Sequence, residues 1–225
     1  VITLYSGLVV KSPLVEHVIP AFERETGTHI EATFEPTTVL LERISAGARP
    51  DLVLGVSSSV TDLAAQGLVD PEVVAEIAVS AVGFARPDDA AGPADDSATT
   101  FLDYLLAARA VAYTLSGASG VHFMKMLRER GLLERIDERA VRCESGLTAE
   151  ALLDGRADVA IQQVSELRSV PGAHVVEPIP HELQSYGRFA VGARPGAGDD
   201  ASRFVTLLTE KPAQDAFAAF GLSRP

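Results

Sequence analysis

Three short apolar runs, each followed by a helical pattern, fill the first seventy residues, and that alternation restricts the chain to very few folds. Residues 1–5 (VITLY), 29–34 (HIEATF) and 51–56 (DLVLGV) are strand-like. Between the first two, Ser12 and Pro13 read as an N-cap and a first-turn proline. Leu14, Val15, Val18, Ala21 and Phe22 then carry an apolar face, with a kink expected at Pro20 and a stop at Gly27. Thr38 can cap a second helix on Val39, Leu40, Leu41 and Ile44, closed by Gly47. Ser57, Ser58 and Ser59 precede a third, which Gly67 ends. The pattern is that of a mainly parallel sheet flanked by helices, and in such sheets ligands gather at the carboxyl ends of the strands. The loops there, Ser6–Gly7, Thr37–Thr38 and Ser57–Ser59, are rich in hydroxyls or glycine and carry no Lys or Arg at their tips. Helix capping explains each singly; three on one edge point to a small polar solute.

The same pattern returns at 111–133 (VAYTLSGASGVHFMKMLRERGLL). A strand runs into the small-residue turn Ser116, Gly117, Ala118, Ser119, Gly120, and a helix on Val121, Met124 and Leu127 ends at Gly131. Such a turn aims backbone N–H groups and the positive end of a helix at one point, which suits an anion. Around it the sequence predicts a strand at 77–85, an exposed acidic loop at 88–97 and a helix at 101–109. Residues 136–142 read as a connection, and Ser145–Gly146 as the cap of a helix at 147–153. A strand at 158–164 ends in Gln162 and Gln163, whose buried amides need partners; cross-strand hydrogen bonds are the expected use. Strands at 175–180 and 186–193 and helices at 200–208 and 212–220 close the chain.

With 225 residues, 47% of them apolar, the chain can bury one large core or two small ones. Its net charge of -12 argues against nucleic acid or an anionic membrane surface as partner. A small anion stays admissible, because that charge is screened beyond about 10 Å while backbone dipoles act locally. Cys143 is the only cysteine, so no intrachain disulfide forms. No apolar run is long enough to span a bilayer. Without an initiator Met or signal peptide, a processed N-terminus is expected. The five histidines pair with no carboxylate or cysteine at a motif spacing. GASG at 117–120 stops one position short of a nucleophile elbow, since Val121 stands where the last glycine belongs. The expectation is therefore no enzyme, no metal and no cofactor.

The opening, VITLYSGLVVKSPLVEHVIPAFERETGTHIEATF, resembles the start of the periplasmic molybdate-binding proteins of bacterial transporters. The runs LLERISAGARPDLVLGV, SGASGVHF and GRADVAIQQVSEL fit the same family in order and spacing. VPGAHVVEPIPHELQ is similar to a branch of it known only as substrate-binding proteins. The resemblance covers almost the whole chain. It implies an α/β periplasmic-binding-protein fold of type II, with lobes at 1–81 plus 190–225 and at 82–189. Crossover strands are expected near 80–85 and 186–191, with the solute clamped between the lobes.

In that family a tetrahedral oxyanion is held by hydroxyls and N–H groups without a counter-charge. Carried onto this sequence, the first ligand serine falls at Val9, where Ser6 or the N–H groups around Gly7 would compensate. The second falls at Thr37 or Thr38, and Ser57 belongs to the same edge. The second lobe's contacts fall at Ser119–Gly120 and near Ser145–Gly146. The ligand tyrosine becomes Gln163, and a loop glycine becomes Glu35, which would repel an anion if it pointed inward ionised. With two ligands changed, the resemblance implies a molybdate-like oxyanion or a small organic acid. It further implies a monomeric, extracytoplasmic solute-binding protein, periplasmic or extracellular, serving an ABC transporter permease. A lipid anchor upstream of Val1 stays open. The alternative is a ligand-sensing domain of a transcription regulator with the same fold, which normally follows a DNA-binding segment.

Overall fold

In the computed structural model, which describes residues 1–172 and 174–225, the early apolar runs become the strands of one sheet. β1 (Ile2–Ser6) leads into α1 (Lys11–Pro13), a π-helical stretch Leu14–Val18 and α2 (Ile19–Thr26), which form one continuous helical segment. β2 (Ile30–Phe34), α3 (Thr37–Ser45), β3 (Leu52–Val56) and α4 (Ser57–Ala65) follow. The chain forms two compact units, Val1–Ser80 with Arg188–Pro225 and Ala81–Gly187. β4 (Val74–Pro87) carries it from the first into the second. There it builds α5 (Ala98–Ala107), β5 (Val111–Thr114), α6 (Ala118–Glu129), α7 (Leu133–Asp137) and β6 (Val141–Cys143). α8 (Glu150–Leu153), β7 (Val159–Gln163), α9 (Val164–Arg168) and β8 (His174–Pro178) come next. β9 (Tyr186–Ala193) returns to the first unit, which ends with α10 (Asp199–Thr209) and α11 (Lys211–Ala219).

In the first unit β1 lies between β2 and β3, parallel to both, and β9 runs antiparallel along β3. Leu52 and Leu54 on one face of β3 and Val53 on the other are all buried, as expected of a strand covered on both sides. Leu4, Leu14, Phe22, Phe204 and Phe217 fill one core, and Phe22 meets Phe204 edge-on at 5.1 Å. In the second unit the strand order is β8-β4-β7-β5-β6, with β5, β6 and β7 parallel and β4 antiparallel to its neighbours. Phe84, Phe101, Tyr113 and Phe123 centre its core. Parallel strands bring their carboxyl ends to one edge, so each unit carries one such edge of its own.

Several boundaries differ from the sequence reading. The first helix starts at Lys11, so Ser12 lies inside it instead of capping it. The kink expected at Pro20 takes the form of the π-helical stretch just before it. Pro20 has no N–H to give the preceding turn, and a wider turn relieves its ring. α3 is capped by Pro36 and begins at Thr37, so Thr38 is a first-turn residue and no cap. Ser57–Ser59 form the first turn of α4, not a loop. The helix expected at 147–153 shortens to α8, because the Gln162 amide holds Thr148 outside it. The stretch read as a connection contains the end of α7 and the first two residues of β6, a strand too short to show a period. His122, in the first turn of α6, is half-buried and bonds Leu183 O through Nε2 at 2.7 Å.

One half-buried tie fixes β1 against β3. Asp51 accepts from Thr3 N–H (2.9 Å), Thr3 Oγ1 (2.8 Å) and Arg194 Nη2 (2.8 Å). Burial alone would raise its pKa, but the Thr3 N–H, Arg194 and the Thr3 hydroxyl outweigh it and hold the carboxyl below its ordinary value. A depressed native pKa adds stability above the unfolded value of 3.8 that is lost as pH falls through the native value. Asp51→Asn is thus expected to cost about 1–2 kcal/mol at pH 7 and progressively less towards pH 3. Urea unfolding across that range checks it, and a pH-independent difference would assign the effect to packing instead.

Candidate functional site

Thr37 is the residue around which the first unit's edge is built. A Cβ placed on Gly7 would stand 3.5 Å from Thr37 Oγ1, and one on Gly55 would stand 3.0 Å from its Cγ2 and 3.3 Å from Oγ1. The Thr37 side chain therefore lies against the ends of both β1 and β3, in ordinary contact range of Gly7 and tight against Gly55, where a side chain would press on it. Gly7 N–H donates to Leu54 O at 2.9 Å and Glu35 N–H to Ser6 O at 3.1 Å, which fixes the strand ends together. Ser6 is fully buried and its Oγ donates to Gly7 O at 3.1 Å. Ser57 Oγ is also buried; it faces the Glu76–Arg188 ion pair without closing a hydrogen bond of normal geometry. The structure thus brings Ser6, Gly7 and Thr37 together, with Thr38 exposed on the same turn. The Val9 side chain goes into the core and offers a solute no side-chain contact.

Two charged groups flank this edge. Glu35 does not stand free, because Arg43, eight residues along, pairs with its Oε1. The loop tips hold no cation, but Lys11, the first residue of the following helix, holds its ammonium 5.9 Å from the Phe34 ring centroid at the end of β2. That is cation–π distance, and Lys11 has no ion-pair partner among the described residues. An aromatic at one strand end and a lysine just after the neighbouring loop were the signal for it.

The second unit's edge combines a helix start with two turns. Gly117 caps α6 at φ 86°, a backbone few other residues adopt. Ser119 and Gly120 follow in its first turn, both buried. A Cβ on Gly120 would stand 1.9 Å from Thr114 O, so the helix start packs directly on the end of β5. What Gly120 offers a solute is therefore its N–H alone. Thr114 lies opposite Cys143 on β6, and Tyr113 opposite Ile161 on β7, so the turns after all three strands meet on this edge. Ser145 and Gly146 are exposed there. Gln162 ties their loop down, accepting from Thr148 N–H at 2.8 Å and donating to Gly146 O at 3.0 Å.

Gln163 ends β7 as the N-cap of α9, a helix absent from the sequence reading. Its Oε1 turns toward the Glu166 N–H in a capping-box arrangement without closing a hydrogen bond of normal geometry. The reverse bond does form, from Gln163 N–H to Glu166 Oε2 at 3.2 Å. Burial pushes the Glu166 carboxyl up to about 7, and that bond only partly offsets it. The sequence reading missed Glu166; its signal was a Glu three residues after a strand-ending Gln. Among the described residues no group of three or more His, Cys, Asp or Glu could hold a metal ion.

A family profile described as bacterial extracellular solute-binding protein matches residues 2–223. The chain belongs to that family. Its molybdate-binding resemblance has a structural counterpart in the periplasmic molybdate-binding protein of Azotobacter vinelandii. The two share 18% identity, with a TM-score of 0.79 and 100% of both chains covered. The sulfate-binding protein of Mycobacterium tuberculosis H37Rv superimposes with a TM-score of 0.75 at 18% identity, over 99% of this chain and 86% of that one. This solute-binding protein therefore has the mixed α/β fold of the periplasmic binding proteins. A curated relative, aconitate isomerase from a Pseudomonas species, is 27% identical over 216 residues, 92% of this chain and 82% of that one. No helix of the solute-binding protein is, among the described residues, long and apolar enough to cross a membrane.

Proposed function

We propose that the protein captures a small anion outside the cytoplasm and delivers it to an ABC-type importer, performing no chemistry itself. The observation that carries this reading is the Thr37 arrangement, in which one hydroxyl sits over two glycine-bearing strand ends beside buried Ser6. Desolvated hydroxyls and N–H groups bind an anion tightly because charge-assisted bonds are stronger than neutral ones. Molybdate and sulfate neighbours support an oxyanion, and the aconitate-named relative supports a small organic acid. The protein acts as a monomer with a permease as its partner, and no nucleic acid takes part. The two lobes expected at 1–81 plus 190–225 and at 82–189 each supply donors.

A thermal-shift screen of oxyanions and small organic acids tests this first. A binder at a hundred times its Kd is expected to add about 2.7 kcal/mol of stability. Calorimetry on variants then tests the donors. Thr37→Val in the first unit and Ser119→Ala in the second are each expected to weaken that binder about ten-fold, one charge-assisted hydrogen bond each. Weakening by one variant alone would confine the solute to that unit. A screen without a binder would remove the anion reading altogether.

A further inference from the structure

Glu166 has no place in that donor set, yet it stands on the same edge. Gln163 stands two residues after Ile161 at the end of β7, and Ile161 is the register partner of Tyr113 on β5. The turn at 115–120, with its anion-suited helix start, is therefore the immediate neighbour of the Gln163–Glu166 turn. One Glu166 oxygen is committed to the Gln163 N–H. The residue as a whole is half-buried, its carboxyl end is the buried part, and it has no cationic partner among the described residues.

The elements packed against α9 offer no neutralising charge. β8 brings His174 and Glu177, β4 brings Arg86, and α9 itself brings Arg168. His174 bonds Leu167 O through Nε2 at 3.1 Å, and Arg86 pairs with Glu177 at 3.4 Å. Arg168 is exposed. An ionised carboxylate beside a bound anion is costly. At an effective dielectric constant of about 20, like charges roughly 7 Å apart repel by enough to weaken binding about fifty-fold.

We infer that anion capture is proton-linked, with Glu166 taking up one proton as the anion binds. This deepens the anion-binding reading and rests on it. The proton comes from solvent and converts the carboxylate to a carboxyl, so no like charge faces the solute. Near neutral pH the group is poised for this, since burial already brings its titration to about 7. The same linkage requires affinity to fall as pH rises above that value.

The experiment is calorimetry at pH 7.5 in buffers of different ionisation enthalpy, with molybdate, sulfate and malate as probes. All three are essentially ionised at that pH, so a proton taken up goes to the protein. For whichever probe binds, the native protein is expected to take up about half a proton or more per anion, and Glu166→Gln close to none. Glu166→Ala repeats the measurement without the amide. Equal uptake by the native protein and both variants, or none by any of them, overturns the linkage and leaves anion binding standing. Failure of every probe to bind overturns the anion reading and the linkage with it.

Discussion

Gly120→Ala is expected to lower stability by about 3 kcal/mol, at the upper end of what one added methyl group does in a packed interior. The added Cβ would stand 1.9 Å from Thr114 O, 2.5 Å from Thr114 Oγ1 and 2.8 Å from Thr114 C. Two of those atoms are backbone, so no side-chain rotation relieves the clash. α6 must move off the end of β5, and Phe123, Met126 and Leu127 on its buried face lose their packing. Urea unfolding measures the loss. Ser119→Ala, one residue earlier, is the control and is expected to change stability by less than about 1 kcal/mol. A Gly120→Ala protein as stable as the native one would mean that helix and strand lie further apart than described.

The same glycine illustrates what the sequence could and could not disclose. Strand–turn–helix at 111–133 was legible, because apolar positions changed from a strand to a helical period across a run of small residues. Why Gly120 is small was not legible, since closeness to the Thr114 carbonyl depends on how helix and strand pack, not on local pattern. Thr37 is similar: its hydroxyl could be read, but its seat over Gly7 and Gly55 joins residues thirty and eighteen positions away. Short elements escaped altogether. β6 has three residues and α9 five, too few for a period to repeat, and α9 starts directly where β7 stops. Boundaries at Thr38 and Ser57 failed for one reason. A hydroxyl residue inside the first turn looks the same in sequence as one at the cap, and here Pro36 and Val56 hold the cap positions. Charge pairing was hidden too. Glu35 would repel an anion if it pointed inward ionised, and its partner Arg43, eight residues along on the next helix, could not be paired with it from local pattern.

Glu166 makes stability fall with rising pH, opposite in sign to Asp51. Its native pKa of about 7 lies above the ordinary 4.5, so the folded protein holds a proton that the unfolded chain has released. Between pH 4.5 and 7 the native state therefore binds more protons, and stability declines as pH rises through that window. Below the window both states are protonated and above it both are ionised, so the contribution is flat on either side. A separation of that size corresponds to about 2–3 kcal/mol lost between pH 4.5 and 8. Glu166→Gln keeps an oxygen for the Gln163 N–H at similar volume but never ionises. It is expected to match the native protein near pH 4.5 and to exceed it by about 2–3 kcal/mol at pH 8, in urea unfolding at the two values. The Asp51 contribution is complete over this range and does not mask the trend, because it is lost only as pH falls through a value below 3.8. A constant gap between Glu166→Gln and native protein at all pH would show that Glu166 ionises alike folded and unfolded. It would then lack the capacity to store the proton that anion capture calls for.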